Sequence, residues 1–263
     1  MFFRLSSLEL AALVIGATLA ATAIGHFAGR SLRRRTADLH EPVGVVQTAL
    51  LGFVGLILAF GLALAVGRYE TRRASVVEEA NAIGTTYLRA QTLAEPMRSR
   101  SLGLLTDYTD TAIRLADAVP GSTDAKRALA DGQTLQRELW ALAGRSLAAA
   151  PTASAPRLYV ETLNNMIDQQ TVRKAALNNR VPPAVLWFEL ASAMLALALL
   201  AFYLALLDRS VWTVLLAAGL VSFLLLITFD LDRPRRGLIT VPSTPLTDLR
   251  ASMDLPPAAS APP

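Results

Sequence analysis

Residues 43–94 read VGVVQTALLGFVGLILAFGLALAVGRYETRRASVVEEANAIGTTYLRAQTLA. The first part of this stretch, Val43 to Val66, carries no charge and is long enough to cross a hydrocarbon layer about 30 Å thick, which takes roughly 20 apolar residues in a helix. The second part is soluble in character, with Tyr69, Val76, Ala80, Ile83 and Tyr87 at helical spacing and Glu70, Arg72, Glu78 and Glu79 on other faces. Neither Gly-Pro punctuation nor a turn cluster separates the parts, so the spacing predicts one helix that leaves the membrane and continues into water until Pro96 stops it.

Three further stretches match the apolar half of this helix: Leu8 to Phe27, Ala184 to Leu207 and Val211 to Phe229. None contains Lys or Arg. Asp208, Arg209 and Ser210 are all that separates the last two, which forces a tight antiparallel hairpin. The first stretch has small residues, Ala20, Ala21 and Ala23, where a signal peptide would be cut; its length, Glu9 and the following Arg30, Arg33, Arg34 and Arg35 favour a retained anchor.

The expected class is therefore all-α: four transmembrane helices with a helical extramembrane region between helices two and three. Residues 1–67 hold the first two spans, 68–183 the extramembrane region, 184–229 the hairpin of spans three and four, and 230–263 a basic juxtamembrane segment with a disordered tail rich in Pro and Ala. Within the extramembrane region a helix is expected from Met97 to Ala118, stopped by Pro120 and Gly121. Another should start at a Thr123 or Asp124 cap and run to about Ala149. A linker over Pro151 to Pro156 precedes a last helix that ends before Pro182 and Pro183.

Composition excludes much else. Of 263 residues, 53% are hydrophobic and 17% charged, and the mean hydropathy is +0.41. There is no Cys and only two His, His26 and His40, so neither disulfides, thiolate chemistry nor a zinc site is expected, and no metal or other cofactor. His26, between Gly25 and Gly29, reads as a packing or interfacial residue. The net charge of +4 comes from basic residues beside the spans, which is membrane anchoring and not a nucleic-acid face. GxxxxGK[ST], GxGxxG, GxSxG and HExxH are all missing, and Asp107, Asp110 and Asp117 read as solvated helix faces, so no enzyme and no catalytic residue is expected.

Placing the amino terminus, the central region and the carboxyl tail in the cytoplasm puts ten basic residues inside: Arg4, Arg68, Arg72, Arg73, Arg173, Lys174, Arg180, Arg233, Arg235 and Arg236. The reverse puts five inside, Arg30, Arg33, Arg34, Arg35 and Arg209. The first arrangement is favoured.

In the second span Phe53, Ile57, Phe60 and Leu64 form one stripe, while Gly55, Ala59, Ala63 and Gly67 form another at a constant spacing of four. Small residues let helices approach closely in lipid. If they meet a neighbouring helix, the first stripe could face a central axis as an apolar constriction; the alternative is that the phenylalanines face lipid or pack on the first span. Glu189, in the third span, is a candidate ion entrance or a side chain that snorkels to the interface. Asp230, Asp232, Arg233, Arg235 and Arg236 lie at the same expected membrane face as Arg68, Arg72 and Arg73, as a salt-bridged network or as basic anchors beside anionic lipid.

The segment Gly52 to Arg73, continued through Glu79-Ala-Asn-Ala-Ile-Gly-Thr-Thr-Tyr-Leu-Arg89, together with Asp230-Leu-Asp-Arg-Pro-Arg-Arg-Gly237, resembles the bacterial bestrophin-like membrane family. That resemblance implies a multi-pass protein of the bacterial inner membrane and a pentameric homo-oligomer. It also implies an ion channel whose second helix lines a narrow neck; animal bestrophins pass anions and some bacterial ones cations. Bestrophins carry an acidic calcium clasp after the fourth helix. Here that place is basic, and the loop between spans one and two is much shorter, so calcium gating of that kind is not implied. A reading of another class is a non-conducting scaffold or signalling protein whose helical region binds other proteins, favoured by the scarcity of charges inside the spans.

Overall fold

A computed structural model describes residues 6–33, 40–233, 235 and 237–257. Arg4, Arg34, Arg35 and Arg236, used above for orientation and charge, lie outside the described residues, as do residues 258–263 of the expected tail. The described secondary structure is helical: α1 (Ser7–Leu32), α2 (His40–Ala90), α3 (Met97–Asp117), α4 (Thr123–Ala149), α5 (Ser154–Asn178), α6 (Pro183–Leu206), α7 (Val211–Leu231) and α8 (Thr244–Met253). Four helices, α1, α2, α6 and α7, are long and apolar enough to cross a membrane. The chain divides into two compact units, Met1–Tyr69 with Arg180–Thr240 and Glu70–Asn179 with Val241–Pro263.

The helix ends follow their local chemistry. Ser6 and Glu9 close a capping box at α1, with the Ser6 amide donating to Glu9 Oε2 at 2.7 Å and the Glu9 amide to Ser6 Oγ at 3.2 Å. Pro183 opens α6 at a position where no amide hydrogen is needed. Between α6 and α7 the chain reverses at Asp208, whose φ of 56° is left-handed, and the Arg209 amide returns to the Leu204 carbonyl at 2.9 Å. In the other unit, α4 is capped by Ser122, whose Oγ accepts the Ala125 amide at 3.1 Å, one residue before the expected cap. Helix α5 begins at Ser154, inside the expected linker, because a Pro in the first turn, here Pro156, costs a helix nothing.

The first unit is held by apolar packing and close backbone approach. Leu10, Val14, Val54, Leu58, Leu186, Leu190, Ala193, Ala196, Leu225 and Phe229 form a buried cluster drawn from all four long apolar helices. On α1, Gly25 and Gly29 sit against Ala198, Phe202 and Ala205 of α6: a Cβ at Gly25 would overlap the Ala198 backbone, and one at Gly29 would lie 2.5 Å from the Phe202 carbonyl oxygen. The GxxxG around His26 is thus a helix-packing device. Thr18 and Ser222 share a buried hydroxyl hydrogen bond of 2.7 Å between α1 and α7.

In the second unit the tail expectation is corrected. Residues 244–253 are the helix α8, which buries Leu246 and Met253. The Tyr87 hydroxyl donates to the Met253 carbonyl at 3.1 Å, Arg250 Nε donates to Asp110 Oδ1 at 2.8 Å, and Ser243 Oγ to Asp117 Oδ1 at 3.1 Å. Composition misleads here because two apolar residues one helix-face apart are enough to dock a ten-residue helix, however rich in Pro its flanks are.

Candidate functional site

Helix α2 is 51 residues long with no break, about 75 Å at 1.5 Å per residue, more than twice the hydrocarbon thickness. Its membrane half is apolar all round, and the structure sorts its faces. Val54, Leu58, Gly61 and Ala65 are buried against the same chain. Phe53 and Phe60 are 58% and 63% exposed, Leu64 is exposed and Ile57 half-buried. At 3.6 residues per turn this second stripe is turned about 100° from the buried one. About another 100° on lie Gly55, Ala59, Ala63 and Gly67, all exposed. The two stripes read from the sequence are therefore adjacent, and neither is the one that packs within the chain; that third stripe, at spacings of four, three and four, was not singled out.

Glu189 of α6 is 1% exposed, and neither carboxylate oxygen has a hydrogen-bond partner. It lies against Gly61, where a Cβ would overlap the carboxyl group. Its side chain turns inward and is enclosed within this chain.

The charged residues near the span ends divide between the two units. In the first unit, Asp230 Oδ1 and Oδ2 accept the amides of Leu238 and Ile239 at 2.9 and 2.8 Å, and Asp232 Oδ2 accepts the Val181 amide at 3.0 Å. The Arg233 side chain is buried, while Arg68 and Arg235 are half-buried. In the second unit, buried Arg72 donates to the Asn179 carbonyl at 2.8 Å, and exposed Arg73 lies 3.8 Å from Glu70. Asp230 thus fastens the turn that follows α7, and Asp232 ties the end of α7 to the segment before α6, roles that like-against-opposite charge counting does not disclose.

The sequence model of the bestrophin-like domain matches residues 11–246. The chain belongs to the bestrophin-like family. Its fold is similar to the crystal structure of a bacterial bestrophin homolog from Klebsiella pneumoniae, with a TM-score of 0.67 and 15% identity, covering 91% of this chain and 97% of that one. A variant of a membrane protein whose crystal structure is known matches with a TM-score of 0.68 and 16% identity over 95% of this chain and 99% of that one. No curated protein matches the chain.

The extramembrane unit of this bestrophin-like chain holds polar groups that sequence reading missed. Arg173 of α5 donates to the carboxylate of Glu79 of α2, with side-chain exposures of 2% and 0%. Both terminal nitrogens of Arg173 also lie 3.5 Å from the Ala112 carbonyl of α3. Gln136 of α4 donates to the Tyr108 hydroxyl at 3.2 Å and to Gln170 Oε1 at 2.8 Å. Burial pushes the Glu79 carboxyl up, opposed by the Arg173 guanidinium, and burial pushes the Tyr108 phenol up as well, helped by the charge of Glu79. The expectation that Glu79 and Arg72 lie on other faces of α2 is corrected: both are buried, and Glu79, three residues after Val76 and four before Ile83, shares their apolar face, where a lone acid needs a partner.

Proposed function

We propose that the chain is a bestrophin-like ion channel of the bacterial inner membrane, a homo-oligomer, pentameric as in the bestrophins, with an apolar neck made by Phe53, Ile57, Phe60 and Leu64 of α2. The observation that carries this reading is the order of faces on that helix. One flank is used by the chain's own core, the other offers Gly55, Ala59, Ala63 and Gly67 to a neighbour, and the exposed aromatic stripe lies between them. In a ring of copies, that order turns the middle stripe toward the axis, where an apolar constriction gates by dewetting. Residues 68–183 form the extramembrane region in this reading, facing the cytoplasm, and reporter fusions at Ser122 and Arg33 test that side: activity of a cytoplasmic reporter at Ser122 is expected. Arg68, Arg72, Arg73, Asp230, Asp232, Arg233, Arg235 and Arg236 then border one membrane face, where they tie subunits together or meet lipid headgroups. Glu189 enters the pathway as an ion entrance only in a conformation that opens it to water.

The deciding experiment is flux from proteoliposomes containing the purified protein, run with several cations and anions. Flux of at least one ion, dependent on the protein, is expected. Assembled oligomers that pass none would favour the scaffold reading, in which the extramembrane helices bind other proteins.

A further inference from the structure

Glu189 is the one ionisable side chain of α6 besides Tyr203, and it lies about 9 Å along the helix from Pro183. Gly61 faces it from α2, about 8 Å along that helix from Val66, so both belong to the membrane-spanning stretch. Two observations meet here. The carboxyl group is sealed from solvent with no hydrogen-bond donor on either oxygen. Gly61 supplies the space it occupies, because any larger residue there would collide with it. Around the pair the packing is hydrocarbon, with Leu58, Leu186, Leu190 and Ala193 all buried in the same cluster.

Among the described residues, no charged side chain is hydrogen-bonded to it. On α2, Arg68 stands seven residues beyond Gly61, about 10 Å along the axis. Asp230 of α7 holds the Leu238 and Ile239 amides, and Glu9 of α1 holds the Ser6 amide. An ionised carboxylate with neither donor nor counter-ion is far costlier in such surroundings than a neutral carboxylic acid, which keeps only a modest dipole to bury. The neutral acid also fits a seam against glycine, where no water can enter.

We infer that Glu189, enclosed against Gly61, is a proton-binding site within the membrane: the seam closes on the carboxylic acid and has to open when the proton leaves. This holds whether or not the protein conducts, so it goes beyond the channel reading.

The test uses the full chain in lipid vesicles and dicyclohexylcarbodiimide, an apolar reagent that reacts with carboxylic acids in apolar surroundings. The acid's proton passes to a carbodiimide nitrogen and its oxygen bonds to the central carbon; acyl migration to nitrogen leaves a stable N-acylurea, with nothing lost. Peptide mass spectrometry should find this adduct on Glu189, with labelling that slows severalfold as pH is raised and vanishes in Glu189→Gln. A water-soluble carbodiimide with an amine nucleophile should instead mark the exposed Glu78 and leave Glu189 untouched. In Gly61→Ala, which displaces the carboxyl, the preference at Glu189 should shift toward the water-soluble pair. Unaltered protein in which Glu189 escapes the apolar reagent, or reacts with the water-soluble one as fast as Glu78, would overturn the inference without any bearing on flux.

Discussion

Arg173 reaches the carboxylate of Glu79 across 94 residues of chain, and the two side chains are among the most completely enclosed in the extramembrane unit. A buried pair of this kind is costly to break singly, because the survivor is left as an uncompensated charge. Arg173→Met should therefore lower stability by about 3–5 kcal/mol, whereas Glu79→Leu combined with Arg173→Met should recover most of that loss. Thermal unfolding of the detergent-solubilised chain measures both, and a double variant no better than the single would show that the guanidinium matters for its contact with the Ala112 carbonyl instead.

Phe60 tests the neck. Replacing it by Ala removes bulk from an exposed face of α2, so the fold should survive with a change in stability of under about 1 kcal/mol, as is usual for surface sites. Conductance or leak in reconstituted vesicles should rise. Leu58→Ala, on the buried face of the same helix, should instead cost about 2–5 kcal/mol and lower the yield of folded protein.

Two glycines of α1 should respond in opposite ways. A Cβ at Gly16 meets nothing within 4 Å, and Gly16→Ala should be neutral or stabilise by up to about 1 kcal/mol. At Gly25 the same Cβ overlaps the Ala198 backbone, so Gly25→Ala should push α1 off α6 and lower the melting temperature. Equal effects at both sites would contradict the close helix seam.

Asp230→Ala should release the amides of Leu238 and Ile239, at about 1–3 kcal/mol for the loss of part-buried hydrogen bonds to a carboxylate. Faster hydrogen exchange confined to residues 237–240 would locate the loss. If the charge border between subunits is real, recovery of the oligomer in mild detergent should fall as well.

Ending the chain at Pro242 removes α8 and with it the contacts of Met253 to Tyr87 and Thr109. Burying a Leu or Met is worth about 1.5–3 kcal/mol, so losing Leu246 and Met253 should destabilise the extramembrane unit by several kcal/mol. Differential scanning fluorimetry of the truncated and full chains gives the comparison.

What could be read from the residues was what depends on neighbours along the chain. Pro96, Pro120 with Gly121, and Pro182 with Pro183 mark helix ends to within a few residues, since each acts through its own backbone. The continuity of α2 was legible for the same reason. Its buried face was not: a span that is apolar on every side carries no amphipathic signal, so nothing local separates Val54, Leu58, Gly61 and Ala65 from the stripes beside them. The seating of Glu189 on Gly61 and the pairing of Glu79 with Arg173 are meetings of distant segments. Helix α8 was missed because its flanks, rich in Pro and Ala, outweighed the few apolar residues that dock it.

The glycine seam between α1 and α6 also constrains how the membrane unit can change shape. With Gly25 and Gly29 pressed on the backbone of Ala198 and Phe202, neither helix can slide or roll past the other without steric collision. They move as a single plate. Helix α2 meets that plate through the side chains of Val54 and Leu58 and, at Gly61, through the side chain of Glu189, so the joint along α2 is made of side chains and the one along α1 of backbone.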